Sequence, residues 1–358
     1  MRVLVVNAGS SSLKLRLLAE DELVESADLP PDAAVADALR DWPAPDAIGH
    51  RIVHGGTSFS GPVVIDAAVR ARLGELTDLA PLHQPKSLAA LDSVSGVLPD
   101  VPAVACFDTA FHSTLPAAAA TYAIPREWRE RYAIRRYGFH GLSHAYCSAR
   151  AGSLLGRDGL RIVTCHLGAG ASLAAVVDGR SVDTTMGFTP LEGLVMATRS
   201  GTVDPGLVLW LEEHEHIAPH EVASALEHRS GIFALAGTAD MREVESRSDA
   251  DARLAVDVYV HRLVLGIGAM AAAAGGLDAL VFTGGVGERS PNIRARAAER
   301  LGHLGVALDA AANDAAQPDL DVSAAAAAAR VLVIAAREDL QIARETREVI
   351  GVRRPPDR

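Results

Sequence analysis

Apolar residues open the chain as a short run and then change rhythm. Val3-Leu4-Val5-Val6 meets the small polar stretch Asn7-Ala8-Gly9-Ser10-Ser11-Ser12, after which Leu13, Leu15 and Leu17 alternate with other residues. A run, a Gly/Ser turn and an alternating segment predict strand, tight turn, strand. The same rhythm returns over 161–177, where Ile162-Val163-Thr164-Cys165 meets His166-Leu167-Gly168-Ala169-Gly170-Ala171-Ser172. Laying Gly168 over Gly9 matches strand to strand and turn to turn. Two similar hairpins so far apart predict a duplicated domain rather than a short-period repeat. Asp178-Gly179-Arg180 then predicts a hairpin turn into a third strand over 181–185.

Helical periodicity covers 143–155 and the long stretch 251–275, which is rich in Ala, Leu and Val. Residues 279–283 form a short apolar strand, with Gly284-Gly285-Val286-Gly287 as its turn. Ser290 and Pro291 supply an N-cap and a first-turn proline for a helix to about Leu301. A last strand over 331–335 and a terminal helix over 339–349 complete an α/β pattern of two related domains facing one another. A cleft between two such domains suits a nucleotide.

Composition narrows the function classes. With 358 residues, 49% hydrophobic and 22% charged, the chain suits two ordinary globular domains. A net charge of −11 disfavours a general nucleic-acid or anionic-membrane binder, although Arg and His can still gather in one place. Cys106, Cys147 and Cys165 lack metal-type spacing and read as buried thiols of a reducing compartment. The N-terminus runs straight into a strand without a signal-peptide pattern. The uncharged run 263–277 is shorter than the ~20 residues of a membrane span and holds four glycines. The expected setting is the cytoplasm, with neither membrane nor nucleic acid as partner.

Candidate chemistry follows the turns. Small residues and hydroxyls at 7–12, with Lys14 behind them, let backbone N–H groups reach phosphate oxygens. The spacing is not that of a Walker A loop, and a Ser-rich hairpin is also common as a plain turn. The matching turn Gly168-Ala169-Gly170 strengthens the phosphate reading, and Gly284–287 adds a third Gly-rich turn. Arg51 lies in Gly49-His50-Arg51-Ile52-Val53-His54-Gly55-Gly56, His140 in Tyr137-Gly138-Phe139-His140-Gly141, and Arg199 in Thr198-Arg199-Ser200-Gly201. Each alone suits a surface ion pair or a core histidine. Together, all beside Gly, Ser or Thr, they point to an anion site. Asp108 ends the apolar strand 101–107, where ligand sites of α/β sheets collect; a helix N-cap explains it equally well. Glu338 is the other candidate acid, suited to Mg²⁺.

Taken in order, these segments, with Ala80-Pro81-Leu82-His83, Gly187-Phe188-Thr189-Pro190-Leu191-Glu192-Gly193 and Ile342-Ala343-Arg344-Glu345-Thr346, resemble the acetate kinase family. That resemblance covers nearly the whole chain. It implies duplicated RNase H-like (actin-like ATPase) domains, with mixed sheets flanked by helices and an interdomain active-site cleft. The domains would span 1–147 and 148–339, with the C-terminal helix 340–358 returning to the first. It implies reversible Mg²⁺-dependent transfer from ATP to acetate, giving ADP and acetyl phosphate, in a homodimer, with Mn²⁺ as an alternative metal. By position, Arg51 and Arg199 hold acetate and the transferring phosphoryl group, His140 stabilises the transition state, and Asp108 fixes an arginine and the metal. Asn7 and Glu338 correspond to the metal site. Val53, Leu82, His83 and Pro190 correspond to the acetate side. Ser10, Ser12, Lys14, His166, Leu167, Gly168, Gly170, Asp240, Arg242, Gly285, Val286 and Gly287 correspond to the nucleotide side.

The chain departs from the family pattern at Ala169, where asparagine is usual, at Met241 for phenylalanine and at Arg289 for asparagine, and 18–49 is short. An ionised carboxylate acceptor needs no general base, unlike a sugar hydroxyl, and two Arg with several His suit an anionic nucleophile. Competing readings are a propionate or butyrate kinase, a non-catalytic nucleotide switch of the actin/Hsc70 type, and a phosphoanhydride hydrolase.

Overall fold

The computed structural model describes residues 1–9, 12–30, 33, 35–80 and 84–353. They fall into two compact units. The first comprises Met1–Ser113, His140–Tyr146 and Arg337–Arg358, and the second Thr114–Phe139 and Cys147–Ala336.

In the first unit the opening rhythm gives β1 (Arg2–Ala8) and β2 (Leu13–Ala19), and the chain continues as β3 (Glu22–Leu29). Strands β4 (Ala47–Ile52), β5 (Val63–Val64) and β6 (Ala103–Phe107) complete a six-stranded sheet in the order β3-β2-β1-β4-β6-β5. The second unit repeats this plan with β7 (Arg161–Leu167), β8 (Ala171–Val177), β9 (Arg180–Thr184), β10 (Ala279–Thr283), β11 (Leu320–Asp321) and β12 (Arg330–Val333). Its order, β9-β8-β7-β10-β12-β11, is the first sheet over again. In each, an antiparallel meander of three strands is followed by two parallel strands and a short antiparallel edge. Two mixed sheets with helices on their faces make this the duplicated actin-like ATPase architecture.

Two elements differ from expectation. The sequence pattern does not anticipate β3: it is an edge strand whose Glu22, Ser26 and Asp28 face solvent, so its alternation is weak. Residues 284–287 are the start of a helix, Gly284–Arg289, not a turn. Glycine is a poor helix former. Here the Glu288 carboxylate anchors the segment, accepting from Gly284 N–H at 3.0 Å and from Ala336 N–H at 2.9 Å. Gly284 itself has φ +79°, and a Cβ there would lie 2.9 Å from the Leu167 backbone. The expected cap does form: Ser290 accepts from Ile293 N–H ahead of the helix Pro291–Glu299.

The helix Ala250–Ala273 is long and apolar enough to cross a membrane, and half of its most apolar window is buried. It packs on β7 and β8, with Leu173 against Gly266.

Alternation along β4 carries a further consequence. Ile48 joins a core cluster with Val94, and Ile52 joins another with Leu88 and Leu91, both on the side of the helix Gln84–Val97. His50 lies between them, 1% exposed, and among the described residues neither ring nitrogen has a hydrogen-bond partner. Burial lowers its pKa to about 4, against a small opposing pull from Asp92. The unfolded chain therefore takes up a proton near pH 6.5 that the folded chain refuses until about 4. Stability is whole above pH 6.5 and falls as pH drops towards 4, by up to about 3 kcal/mol for this group. His54 is lowered to about 4 by burial as well. His50→Leu is expected to remove about half of the loss in denaturation midpoint between pH 7 and pH 5. An unchanged pH slope in the variant would contradict this.

Candidate active site

Strands β1, β4 and β6 are neighbours and parallel, so their carboxyl ends come out side by side. Asn7, Arg51 and Asp108 stand at or just beyond those ends. Arg51 binds Asp108 through both forks, Nε to Oδ1 at 2.9 Å and Nη2 to Oδ2 at 2.6 Å. Its Nη1 donates to Asn7 Oδ1 at 3.1 Å and lies 3.6 Å from Glu338 Oε2. Asn7 Nδ2 donates to the same Glu338 oxygen at 3.2 Å. Glu338 begins the C-terminal helix Glu338–Arg353, which packs on β1, β4 and β6. Four residues far apart in sequence thus form one hydrogen-bonded cluster. Burial disfavours the Arg51 charge, but Asp108 and Glu338 outweigh it and hold the guanidinium pKa above its usual value. The planar fork matches a carboxylate, as bidentate Arg–Asp pairs generally do.

The helix-cap alternative for Asp108 is thereby displaced: its carboxylate is committed to Arg51. Its backbone carbonyl accepts from Gly141 N–H at 2.8 Å, one residue after His140, which has φ +56°. His140 therefore stands at a tight bend leading into the helix Gly141–Leu155. Val53 is buried just past β4. Lys14 is exposed on β2, opposite Asn7 in register, and Ser12 closes the first turn by accepting from Gly9 N–H at 2.8 Å. Ser10, Leu82 and His83 lie outside the described residues.

In the second unit, the turn after β7 is held by Gly168 N–H donating to Gly170 O at 2.9 Å. Beside it opens a cavity of about 480 Å³, a size typical of small-molecule sites. Gly168, Asp240, Arg242, Gly285 and Val286 line it, as do all three departures, Ala169, Met241 and Arg289. His166 and Leu167 end β7, with Leu167 fully buried, and Gly287 is buried in the helix Gly284–Arg289. Asp240 caps the helix Met241–Ser246 and takes Arg242 bidentately at 3.0 and 2.6 Å, which draws its carboxyl down to about 2. Glu245, Tyr259 and Ser290 also line the cavity and were not anticipated. Only Ser290 carried a local signal, and that was for a helix cap. Glu245 accepts from Ser290 at 2.7 Å and from Asn292 at 2.9 Å.

Arg199 occupies a different environment from Arg51. Its Nη1 donates to Pro190 O at 3.4 Å and approaches Met196 Sδ at 3.8 Å. Among the described residues it forms no ion pair, and burial pulls its pKa below the usual guanidinium value, opposed by the Glu227 charge. It remains a cation at neutral pH, half-buried and not neutralised. Such a group suits an incoming anion.

A sequence model of the acetokinase family matches residues 36–344. The acetate kinase of Trichormus variabilis is 49% identical over 306 residues, covering 84% of this chain and 75% of its own. That of Thermosipho africanus is 43% identical over 397 aligned positions, covering 98% of both chains. Among solved structures, the acetate kinase of Porphyromonas gingivalis superposes with a TM-score of 0.90 at 35% identity, over 98% of this chain and 99% of that one. A propionate kinase from Francisella tularensis also gives 0.90 at 35% identity, over 97% and 99%. With its ordered motifs, its repeated sheet plan and these likenesses along nearly its full length, the chain belongs to the acetokinase family.

Proposed function

We propose that this protein is an acetate kinase. It moves the γ-phosphoryl group of ATP to acetate, reversibly, giving ADP and acetyl phosphate by direct in-line displacement. The observation that carries this reading is Arg199, a half-buried cation with no carboxylate partner among the described residues, in contrast to Arg51, whose guanidinium is paired with Asp108. Phosphoryl transfer needs alignment and charge neutralisation more than covalent chemistry. Arg51, fixed in orientation by Asp108, positions the acetate carboxylate, and the family resemblance assigns Val53, Leu82, His83 and Pro190 to the acetate side. Arg199 and His140 take up charge on the transferring group. Because acetate is ionised at neutral pH, no residue has to remove a proton from it.

The nucleotide occupies the 480 Å³ cavity, with its phosphates towards the Gly168–Gly170 turn. In the second unit Asp240, Arg242, Gly285 and Val286 line that cavity and His166, Leu167 and Gly287 support it; Ser10, Ser12 and Lys14 are assigned to the nucleotide by the family resemblance. Among the described residues no group of three or more His, Cys, Asp or Glu could hold a metal by itself. That suits Mg²⁺, which keeps most of its waters and takes one or two protein oxygens plus phosphates. Asn7 and Glu338 would hold it, and when bound it neutralises phosphate charge; Mn²⁺ would serve in the same place. The three buried free thiols, Cys106, Cys147 and Cys165, suit a reducing cytoplasm. The working form is proposed as a homodimer, with neither membrane nor nucleic acid as partner.

Incubation with ATP, Mg²⁺, acetate and hydroxylamine tests the reading. Acyl hydroxamate is expected with acetate, and no product with acetate, propionate or butyrate would refute an acyl kinase. Comparing the three acids ranks them. One methylene is worth only about 1–3 kcal/mol, so some propionate turnover is expected. The cavity also predicts an effect of its smallest departure. Ala169→Asn restores an amide beside the nucleotide phosphates, and the ATP KM is expected to fall by up to about 10-fold. An unchanged KM would place the phosphates elsewhere.

A further inference from the structure

Beyond the residues assigned to the reaction, the second unit contains a polar assembly built around Glu192. Arg136 Nη2 donates to Glu192 Oε1 at 2.8 Å, and the Tyr122 hydroxyl makes a short hydrogen bond to Glu192 Oε2. Arg136 also donates through Nη1 to the carbonyls of Thr185 and Met186, at 3.2 and 3.0 Å. The Tyr122 oxygen in turn accepts from Phe188 N–H at 3.0 Å. Tyr137 and Gly138 N–H both donate to Gly187 O, at 3.0 and 3.2 Å. Gly187 is packed so tightly that a Cβ would collide with both Tyr122 and Glu192.

Every one of these bonds ends on the short segment 185–192. That segment carries Pro190, whose carbonyl is the hydrogen-bonding acceptor of Arg199. Burial and the Glu192 carboxylate both keep the Tyr122 phenol protonated, so it stays a donor. A surface loop of this length would ordinarily be held by its own turns. Here an ion pair, a phenol and donors to three of its own main-chain carbonyls fix it from outside.

We propose that Tyr122, Arg136 and Glu192 are positioning residues for the acyl side of the reaction: they set segment 185–192, and through it the place of Pro190 and the direction of the Arg199 guanidinium. This rests on the acetate kinase reading above. None of the three need touch a substrate. Their effect is on geometry, and small misplacements of a positioned group can cost about 10²-fold in rate.

Tyr122→Phe and Glu192→Gln test this, since each keeps side-chain volume. Both are expected to raise the acetate KM and lower kcat by about 10-fold each, with the ATP KM within about twofold of wild type. The acetate-to-propionate ratio is expected to drop as well, because the wall at Pro190 is less fixed. Thermal midpoints and far-UV spectra are recorded alongside. A lower midpoint with wild-type acetate KM and acid preference, or an ATP KM that shifts as much as the acetate KM, would overturn the proposal and leave a purely structural brace. Failure of the wild-type protein to form acyl hydroxamate would instead remove the underlying reading.

Discussion

Arg199→Ala is expected to lower acyl hydroxamate formation by about 10³-fold or more, while the protein remains folded. The side chain is half-buried, and its hydrogen-bonding neighbours among the described residues are one carbonyl and a thioether, so little of the fold depends on its charge. In the proposed transfer the same charge would face the equatorial phosphoryl oxygens in a desolvated site, where it counts most. Arg199→Lys keeps a positive charge without the planar fork and is expected to recover only a small part of the rate. The acetate and ATP KM values should change much less than kcat, since the loss falls on the transition state. Wild-type rates for Arg199→Ala would exclude it from the chemistry.

Asp108→Ala should give the largest loss of stability. It leaves the Arg51 guanidinium, now held by two short bonds to a carboxylate with a side chain 3% exposed, without its principal partner. Removing one member of a buried ion pair costs about 3–5 kcal/mol, because the remaining charge stays desolvated. Asn7 and Glu338 still contact Arg51, so the lower end, about 3 kcal/mol, is expected in urea unfolding. Activity should fall too, as the released arginine turns away from the acetate position. Asp108→Asn keeps an acceptor but not the charge and should lie between. Replacing both partners, Arg51→Met with Asp108→Leu, should restore stability but not activity. Equal stability of Asp108→Ala and wild type would show that the pair does not hold the strand ends together.

Much of this protein is written locally. The hairpin that opens each sheet could be read because a period of two and a Gly/Ser turn are short-range signals. The duplication was legible from Gly9 and Gly168 falling at equivalent bends, and the structure extends it to the strand order of both sheets. The Ser290-Pro291 helix start was legible for the same reason, as its hydrogen bond spans three residues. The identity of the arginines, the histidines and Asp108 as candidates came from their residue types and neighbours, and the family from their order.

What the sequence could not determine was which charges meet. Arg51 and Asp108 are separated by 57 positions, and Asn7 and Glu338 by 331, so only the parallel packing of β1, β4 and β6 under the C-terminal helix brings them together. Residues 284–287 look like a loop because three glycines disfavour a helix, and a distant backbone contact through Glu288 decides otherwise. The edge strand β3 shows no clear alternation because solvent covers much of it. Sequence alone thus determined two related α/β halves and a set of candidate phosphate-handling residues. Tertiary structure decided that Arg51 is paired and oriented while Arg199 forms no ion pair among the described residues, because ion pairing depends on distance in space and not along the chain.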